Sequence, residues 1–216
     1  MNSGRSGLFL DFDGTLTDSL GVLHRTYALF LEGFGCSATQ REFDTLNGPP
    51  LRIVVERLRE THGLPGSPEE LYARYVEMLA AQYDAVAAHA GAAQLLDGAR
   101  KAGRPVAIVT SGSEALVRRW LERRGLADKV EEVIGMERGG RGKPHPDPYL
   151  HALQVLSCLA PLSFAVEDSR QGAIAACAAG LRTLFIGPHR AEREGWPPIE
   201  ATMPSLVEVC EYLARS

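Results

Sequence analysis

Two carboxylates one residue apart, Asp11 and Asp13, close the apolar run Leu8-Phe9-Leu10 and stand just before a glycine turn at Gly14. In one place they offer a metal ligand, a nucleophile and a candidate proton donor. Further along, Thr110-Ser111-Gly112, then Lys143 in a glycine-rich stretch, then Glu167-Asp168 add a hydroxyl, loop amides, an ammonium and two more carboxylates. This set has one sign logic. Carboxylates collect a hard cation such as Mg2+, whereas a lysine, a hydroxyl and loop amides collect the oxygens of an anion. A phosphate bridging metal and lysine satisfies both halves.

The elements that must position these groups are legible in the apolar periodicity. Leu8–Phe12, Pro105–Val109, Val130–Ile134, Ser163–Val166 and Arg182–Ile186 are short apolar runs bounded by polar or glycine residues, and are predicted strands. Between them lie helical patterns. Leu116, Val117, Trp120 and Leu121 share a face that Ser111 and Glu114 would open as a capping box and Gly125 would close. Ile174, Ala175, Ala178 and Ala179 do the same ahead of Gly180. Alternating strands and helices predict an α/β fold, a doubly wound parallel sheet whose active site lies beyond the carboxyl ends of its strands. Every polar group named above lies at the end of a predicted strand or in the loop after it.

Residues 16–88 break that rhythm. Leu51, Val54, Val55 and Leu58 recur at helical spacing, as do Leu71, Tyr75, Met78 and Leu79, and breakers at Gly33–Gly35, Gly48-Pro49-Pro50 and Gly63–Pro68 divide the stretch into helices. The domain expectation is a discontinuous core, residues 1–16 and 88–216, interrupted by a helical insert over 17–87. Leu16–Ser19 and Tyr83–Ala88 are the candidate hinges between them.

A chain of 216 residues with 45% hydrophobic content is long enough to bury a full core. The net charge of −4, with both signs interspersed, carries neither a polybasic nucleic-acid footprint nor an acidic tail. Cys36, Cys158, Cys177 and Cys210 are far apart and form no CxxC, so they are expected as reduced core residues. The apolar run after Met1–Gly7 is too short for a signal or spanning helix, and a cytoplasmic protein with no membrane partner is expected.

Taken together, Asp11-Phe-Asp-Gly-Thr15, Thr110, Lys143 and Glu167-Asp168 match, in order, the four motifs of the haloacid dehalogenase-like superfamily, and the chain is identified as a member by resemblance. The resemblance covers nearly the whole chain. It implies a Rossmann-like core with a helical cap, of the group that includes phosphoglycolate phosphatases and β-phosphoglucomutases. It further implies Asp11 as nucleophile, Asp13 as general acid/base, Thr110 on a phosphoryl oxygen and Lys143 offsetting negative charge. Gly14, Ser111 and Gly112 complete the expected phosphate site. Mg2+ would be held by the Asp11 carboxylate, the Asp13 main-chain carbonyl and Asp168, with Glu167 as a direct ligand or just behind. The expected substrate is a small phosphorylated metabolite; oligomeric state is not legible.

Each signal also has a bland reading. An isolated DxDG suits a calcium loop or an Asx turn, Thr110-Ser111 suits a helix cap, and Glu167-Asp168 suits the start of a helix. Lys143 in Gly139-Gly-Arg-Gly142-Lys-Pro superficially suggests a P-loop, but Pro144 stands where Ser/Thr is required. His24, His62, His89, His151 and His189 form no zinc-binding spacing, and His145 is expected in a turn. Within the superfamily, Asp13 argues against carbon–halogen chemistry, and the absence of any lysine from residues 16–88 excludes the phosphonate-cleaving branch. Glu167-Asp168-Ser169 resembles the mutases, whereas Asn47-Gly48-Pro49-Pro50-Leu51 resembles a phosphoglycolate phosphatase cap loop. A phosphatase is preferred, a phosphosugar mutase is the alternative, and a non-catalytic binding member is a third. Arg25, Arg41 and above all Arg52 are the cap cations that could clamp a carboxylate or second phosphate on the leaving group, with a solvated surface role the preferred reading of any one of them.

Overall fold

Strand β1 (Leu8–Leu10) is three residues long and wholly buried, because it sits in the middle of a sheet covered on both faces. The computed structural model describes residues 4–46, 49–187 and 195–215. The other strands are β2 (Val106–Val109), β3 (Glu132–Ile134), β4 (Phe164–Glu167), β5 (Arg182–Ile186) and β6 (Ala201–Met203). All pairings are parallel in the order β3-β2-β1-β4-β5-β6. The five predicted strands are present: β1, β2 and β3 are shorter than predicted, β5 has the predicted bounds, and β4 is shifted by one residue so that Glu167 ends it rather than follows it. The sixth, too short and too polar to stand out from its surroundings, was not expected.

The period-two alternation of the strands divides the core. Leu8, Leu10, Ile108 and Val166 point to one side, where they meet α5 (Ala92–Lys101), α6 (Glu114–Arg123) and α9 (Leu206–Leu213). Phe9, Ala107, Val109 and Ala165 point to the other, against α7 (Asp147–Val155) and α8 (Arg170–Ala178). The connections run outward from β1 in both directions, so the crevice at the carboxyl ends of β1, β2 and β4 is the switch point where such sheets bind ligands.

Between β1 and α5 come α1 (Leu20–Glu32), α2 (Gln40–Leu46), α3 (Leu51–His62) and α4 (Pro68–Tyr83), with a core of their own. Val54, Val55 and Leu58 of α3 are buried there as their spacing predicts, each worth about 1.5–3 kcal/mol. Ser67 opens α4 with a capping box: its hydroxyl accepts from the Glu70 amide at 3.2 Å, and the Glu70 carboxylate accepts from the Ser67 amide at 2.8 Å. Two crossing segments join this layer to the sheet. The Asp18 amide donates to the Ala87 carbonyl and the His89 amide to the Leu16 carbonyl, both at 3.0 Å. Trp120 Nε1 donates to the Val86 carbonyl at 2.9 Å.

Three local expectations are corrected. Ser113, not Ser111, precedes α6, and no capping box forms there, because Glu114 turns its carboxylate to the Gly135 amide and to Arg138. Helix α8 buries Gly172, Ala173, Ala175 and Ala176 and leaves Ala178 exposed. Its face is set by Glu167: a Cβ on Gly172 would lie 2.0 Å from the Glu167 carboxyl carbon. All four cysteines are free, but only Cys158 is buried, the others lying at partly exposed positions. Asn47, Gly48 and His189 fall outside the described residues.

Candidate active site

Asp11 follows β1, Thr110 follows β2 and Glu167 ends β4, so three adjacent central strands deliver three of the expected groups to one edge. Lys143 arrives from the loop after β3. Lys143 is 3% exposed, and its ammonium donates to Asp11 Oδ1 at 2.6 Å, to Glu167 Oε1 at 2.6 Å and to the Val109 carbonyl at 2.8 Å. Burial alone would lower the pKa of this lysine. The carboxylates of Asp11 and Glu167 outweigh that and hold it above the usual lysine range.

Glu167 is fully buried and uses both oxygens within the protein. Oε1 also accepts from the Tyr149 hydroxyl at 2.6 Å, and Oε2 from the Ser169 hydroxyl at 3.1 Å. Asp168 lies next to the glycine turn. Gly14 has φ of 82°, and a Cβ there would come within 2.2 Å of Asp168 Oδ2, so only glycine fits both the turn and the carboxylate.

Asp11, Glu167 and Asp168 each place a carboxylate oxygen within 4.8 Å of the others. Burial raises the pKa of Asp11 despite the lowering effect of Lys143, and Glu167 adds to the rise. Asp168 is raised well above the carboxylate range by burial and by Asp11 and Glu167. Three carboxylates thus face one ammonium, a donor set of hard oxygens with surplus negative charge, which fits a divalent cation. Asp13 is placed differently. Its Oδ1 accepts from the Ser19 hydroxyl at 2.6 Å and from the Tyr83 hydroxyl at the end of α4. Burial pushes its pKa up to about 6, against the lowering effect of Ser19.

Thr110 is 4% exposed, and its Oγ1 accepts from the Gly112 amide at 2.9 Å, which leaves the hydroxyl proton to donate. Thr110, Ser111, Gly112 and Lys143 line a cleft of about 90 Å3 with Asp11, Asp13 and Asp168. Of the expected site residues, Gly14 turns behind Asp168 and does not line the cleft. Arg52 lines a neighbouring cavity of about 380 Å3 that shares Thr110, Ser111 and Lys143; it is 3.7 Å from Glu69 and stacks 4.6 Å above the Tyr72 ring. Arg25 and Arg41 are exposed and line neither cavity. His145 is exposed in a turn, its amide donating to the Gly142 carbonyl at 3.1 Å.

Sequence reasoning did not single out Ser19, Tyr83, Tyr149 or Ser169 as site residues. Ser19 and Tyr83 bound the expected hinges, which is the one signal that placed them near the site. Tyr149 is spaced as an ordinary core residue of α7.

The haloacid dehalogenase-like hydrolase family matches residues 8–186, and the chain belongs to that family. It is 32% identical to hexitol phosphatase A of Escherichia coli (strain K12) over 83% of this chain and 82% of that one. Identity to phosphoglycolate phosphatase of Neisseria gonorrhoeae is 29%, over 82% and 77% of the two chains. The crystal structure of β-phosphoglucomutase from Clostridium difficile superposes with a TM-score of 0.86, covering 98% of this chain and 96% of that one at 16% identity, a likeness of fold. Among the described residues no helix is long and apolar enough to cross a membrane.

Proposed function

We propose that the chain is a Mg2+-dependent phosphoric monoester hydrolase for a small phosphorylated metabolite, with α1–α4 as a cap over residues of the sheet edge. The observation that carries this reading is the unequal placement of the two aspartates. Asp11 is locked to Lys143 beside Glu167 and Asp168, whereas Asp13 is held apart by Ser19 and Tyr83 with its pKa raised to about 6. Two carboxylates in different environments suit two roles. Names of the relatives support the phosphatase class.

In this account an Asp11 carboxylate oxygen attacks phosphorus, and the bond from phosphorus to the leaving oxygen breaks. Asp13 gives its proton to the departing alkoxide, so a neutral alcohol and an aspartyl-phosphate result. Asp13, now ionised, takes a proton from water as that water attacks the phosphorus, returning Asp11 and inorganic phosphate. Lys143 and the Thr110 hydroxyl hold negative oxygens in place throughout. Asp11, Asp168 and the Asp13 main-chain carbonyl would hold the ion, with Glu167 behind them. When bound, it supplies neutralisation of the phosphoryl oxygens.

The Glu167-Asp168-Ser169 form favours one second reading, a phosphosugar mutase. Phosphate release from a panel of phosphomonoesters, with Mg2+ and with chelator, decides. The phosphatase reading expects turnover that chelation and Asp11→Asn abolish. Turnover only after priming by a bisphosphate would establish the mutase, and folded protein that turns over no phosphomonoester would sink the first reading.

A further inference from the structure

The cleft that contains Asp13 is polar on the sheet side and apolar on the helical side. From the insert, Leu23, Phe43, Leu46, Leu51, Val54 and Leu79 line it, together with Pro49 and Tyr75. Among the described lining residues the insert contributes no charged or amide side chain. Among the side chains of these described residues the one polar atom is the Tyr75 hydroxyl. That residue is 3% exposed, and its hydroxyl has no hydrogen-bond partner among the described residues.

The cap cations singled out for a second anion lie elsewhere. Arg52 sits in the neighbouring cavity with its guanidinium beside Glu69 and over Tyr72, and Arg25 and Arg41 are exposed outside the cleft. A substrate phosphoryl group next to Asp11 and Lys143 directs its leaving oxygen to Asp13, and therefore its leaving group to these apolar walls. Against the described insert residues a polyol or carboxylated leaving group would be stripped of water with only the Tyr75 hydroxyl to meet it.

On the strength of the phosphatase reading above, we propose that the leaving group is a neutral, predominantly apolar alcohol, so that the substrate class is an alkyl or aryl monophosphate. The walls gain by covering carbon, and Tyr75 provides one hydrogen bond that fixes orientation. This sets the chain apart from relatives whose names specify a hexitol phosphate or phosphoglycolate.

The test compares n-butyl phosphate with glycerol 1-phosphate, two primary alkyl esters of similar size, the second with one hydroxyl in place of the terminal methyl and another on the middle carbon. A hexitol phosphate, phosphoglycolate and p-nitrophenyl phosphate complete the panel. An apolar wall discriminates against added hydroxyls on the order of 100-fold, so kcat/KM for the butyl ester is expected to exceed that for the glycerol ester by about that factor. Val54→Thr places a hydroxyl on the wall at nearly constant shape and is expected to narrow the ratio several-fold; because Val54 is buried the melting temperature is expected to fall, and circular dichroism at the assay temperature verifies that the variant is folded. Equal or better turnover of the polyol or carboxylated esters would overturn the inference while leaving the phosphatase reading intact. So would an unchanged ratio in folded Val54→Thr. Absence of phosphate release from every ester would overturn both.

Discussion

Replacing Lys143 by Met retains a flexible stem of similar length and removes the charge that Asp11 and Glu167 share. Each carboxylate oxygen lies 2.6 Å from the ammonium. At an effective dielectric near 20, unit charges at that separation attract by about 6 kcal/mol, much of which offsets the cost of burying the ions. Removing one member of a buried ionic cluster leaves the others uncompensated, and such changes cost about 3–5 kcal/mol. The lost charge also lets burial raise the pKa of Asp11 further, so protonation limits the damage at low pH. The destabilisation is therefore largest above the raised pKa of Asp11 and shrinks as pH falls through it. Urea unfolding followed by circular dichroism, in chelator at pH 8 and pH 5, measures both features. Adding Glu167→Gln should recover part of the loss, because one buried carboxylate then disappears with the ammonium. A loss below about 1 kcal/mol at pH 8, or a loss independent of pH, would refute the electrostatic account of this cluster.

Asp13 has a folded-state pKa of about 6 against 3.8 for the free group, so metal-free protein loses stability as pH rises from about 4 to about 6. The shift corresponds to about 3 kcal/mol at most, and roughly 2 kcal/mol for a half-buried group; unfolding of Asp13→Asn against wild type across that window should show the slope removed. Gly14→Ala forces a Cβ into Asp168 and should weaken divalent-ion binding at least tenfold by titration calorimetry, with the sheet intact by circular dichroism. Ser67→Ala removes the α4 capping box and should cost about 1 kcal/mol in urea unfolding, with kcat unchanged, since Ser67 lies outside the cleft.

The parallel sheet was readable because its central strands are buried on both faces and therefore appear as unbroken apolar runs, Leu8–Leu10 and Val106–Val109. Each polar group that follows such a run was placed at the same edge by topology alone. β6 escaped notice because Ala201–Met203 lies at the edge of the sheet and only Met203 is buried. The insert was legible as helices from Val54, Val55 and Leu58 and from Leu71, Tyr75 and Leu79, since amphipathic spacing is a local property. Contacts between distant segments were not. The bond from Tyr83 to Asp13 spans 70 positions, and that from Tyr149 to Glu167 depends on how α7 lies against β4. Arg52 shows the converse limit: its place in the first turn of α3 was legible, but its engagement with Glu69 and Tyr72 follows from the packing of α3 on α4.

The central claim, that Asp11 itself carries the phosphoryl group, is open to direct observation. Asp13→Asn should slow the water step while leaving attack on an activated ester possible. Acid quenching of that variant with p-nitrophenyl phosphate and Mg2+, followed by peptide mass spectrometry, should find one phosphoryl group on Asp11 in amounts matching the first burst of nitrophenol. A burst without any adduct, a phosphoryl group on another residue, or undiminished turnover by Asp11→Asn would contradict the account.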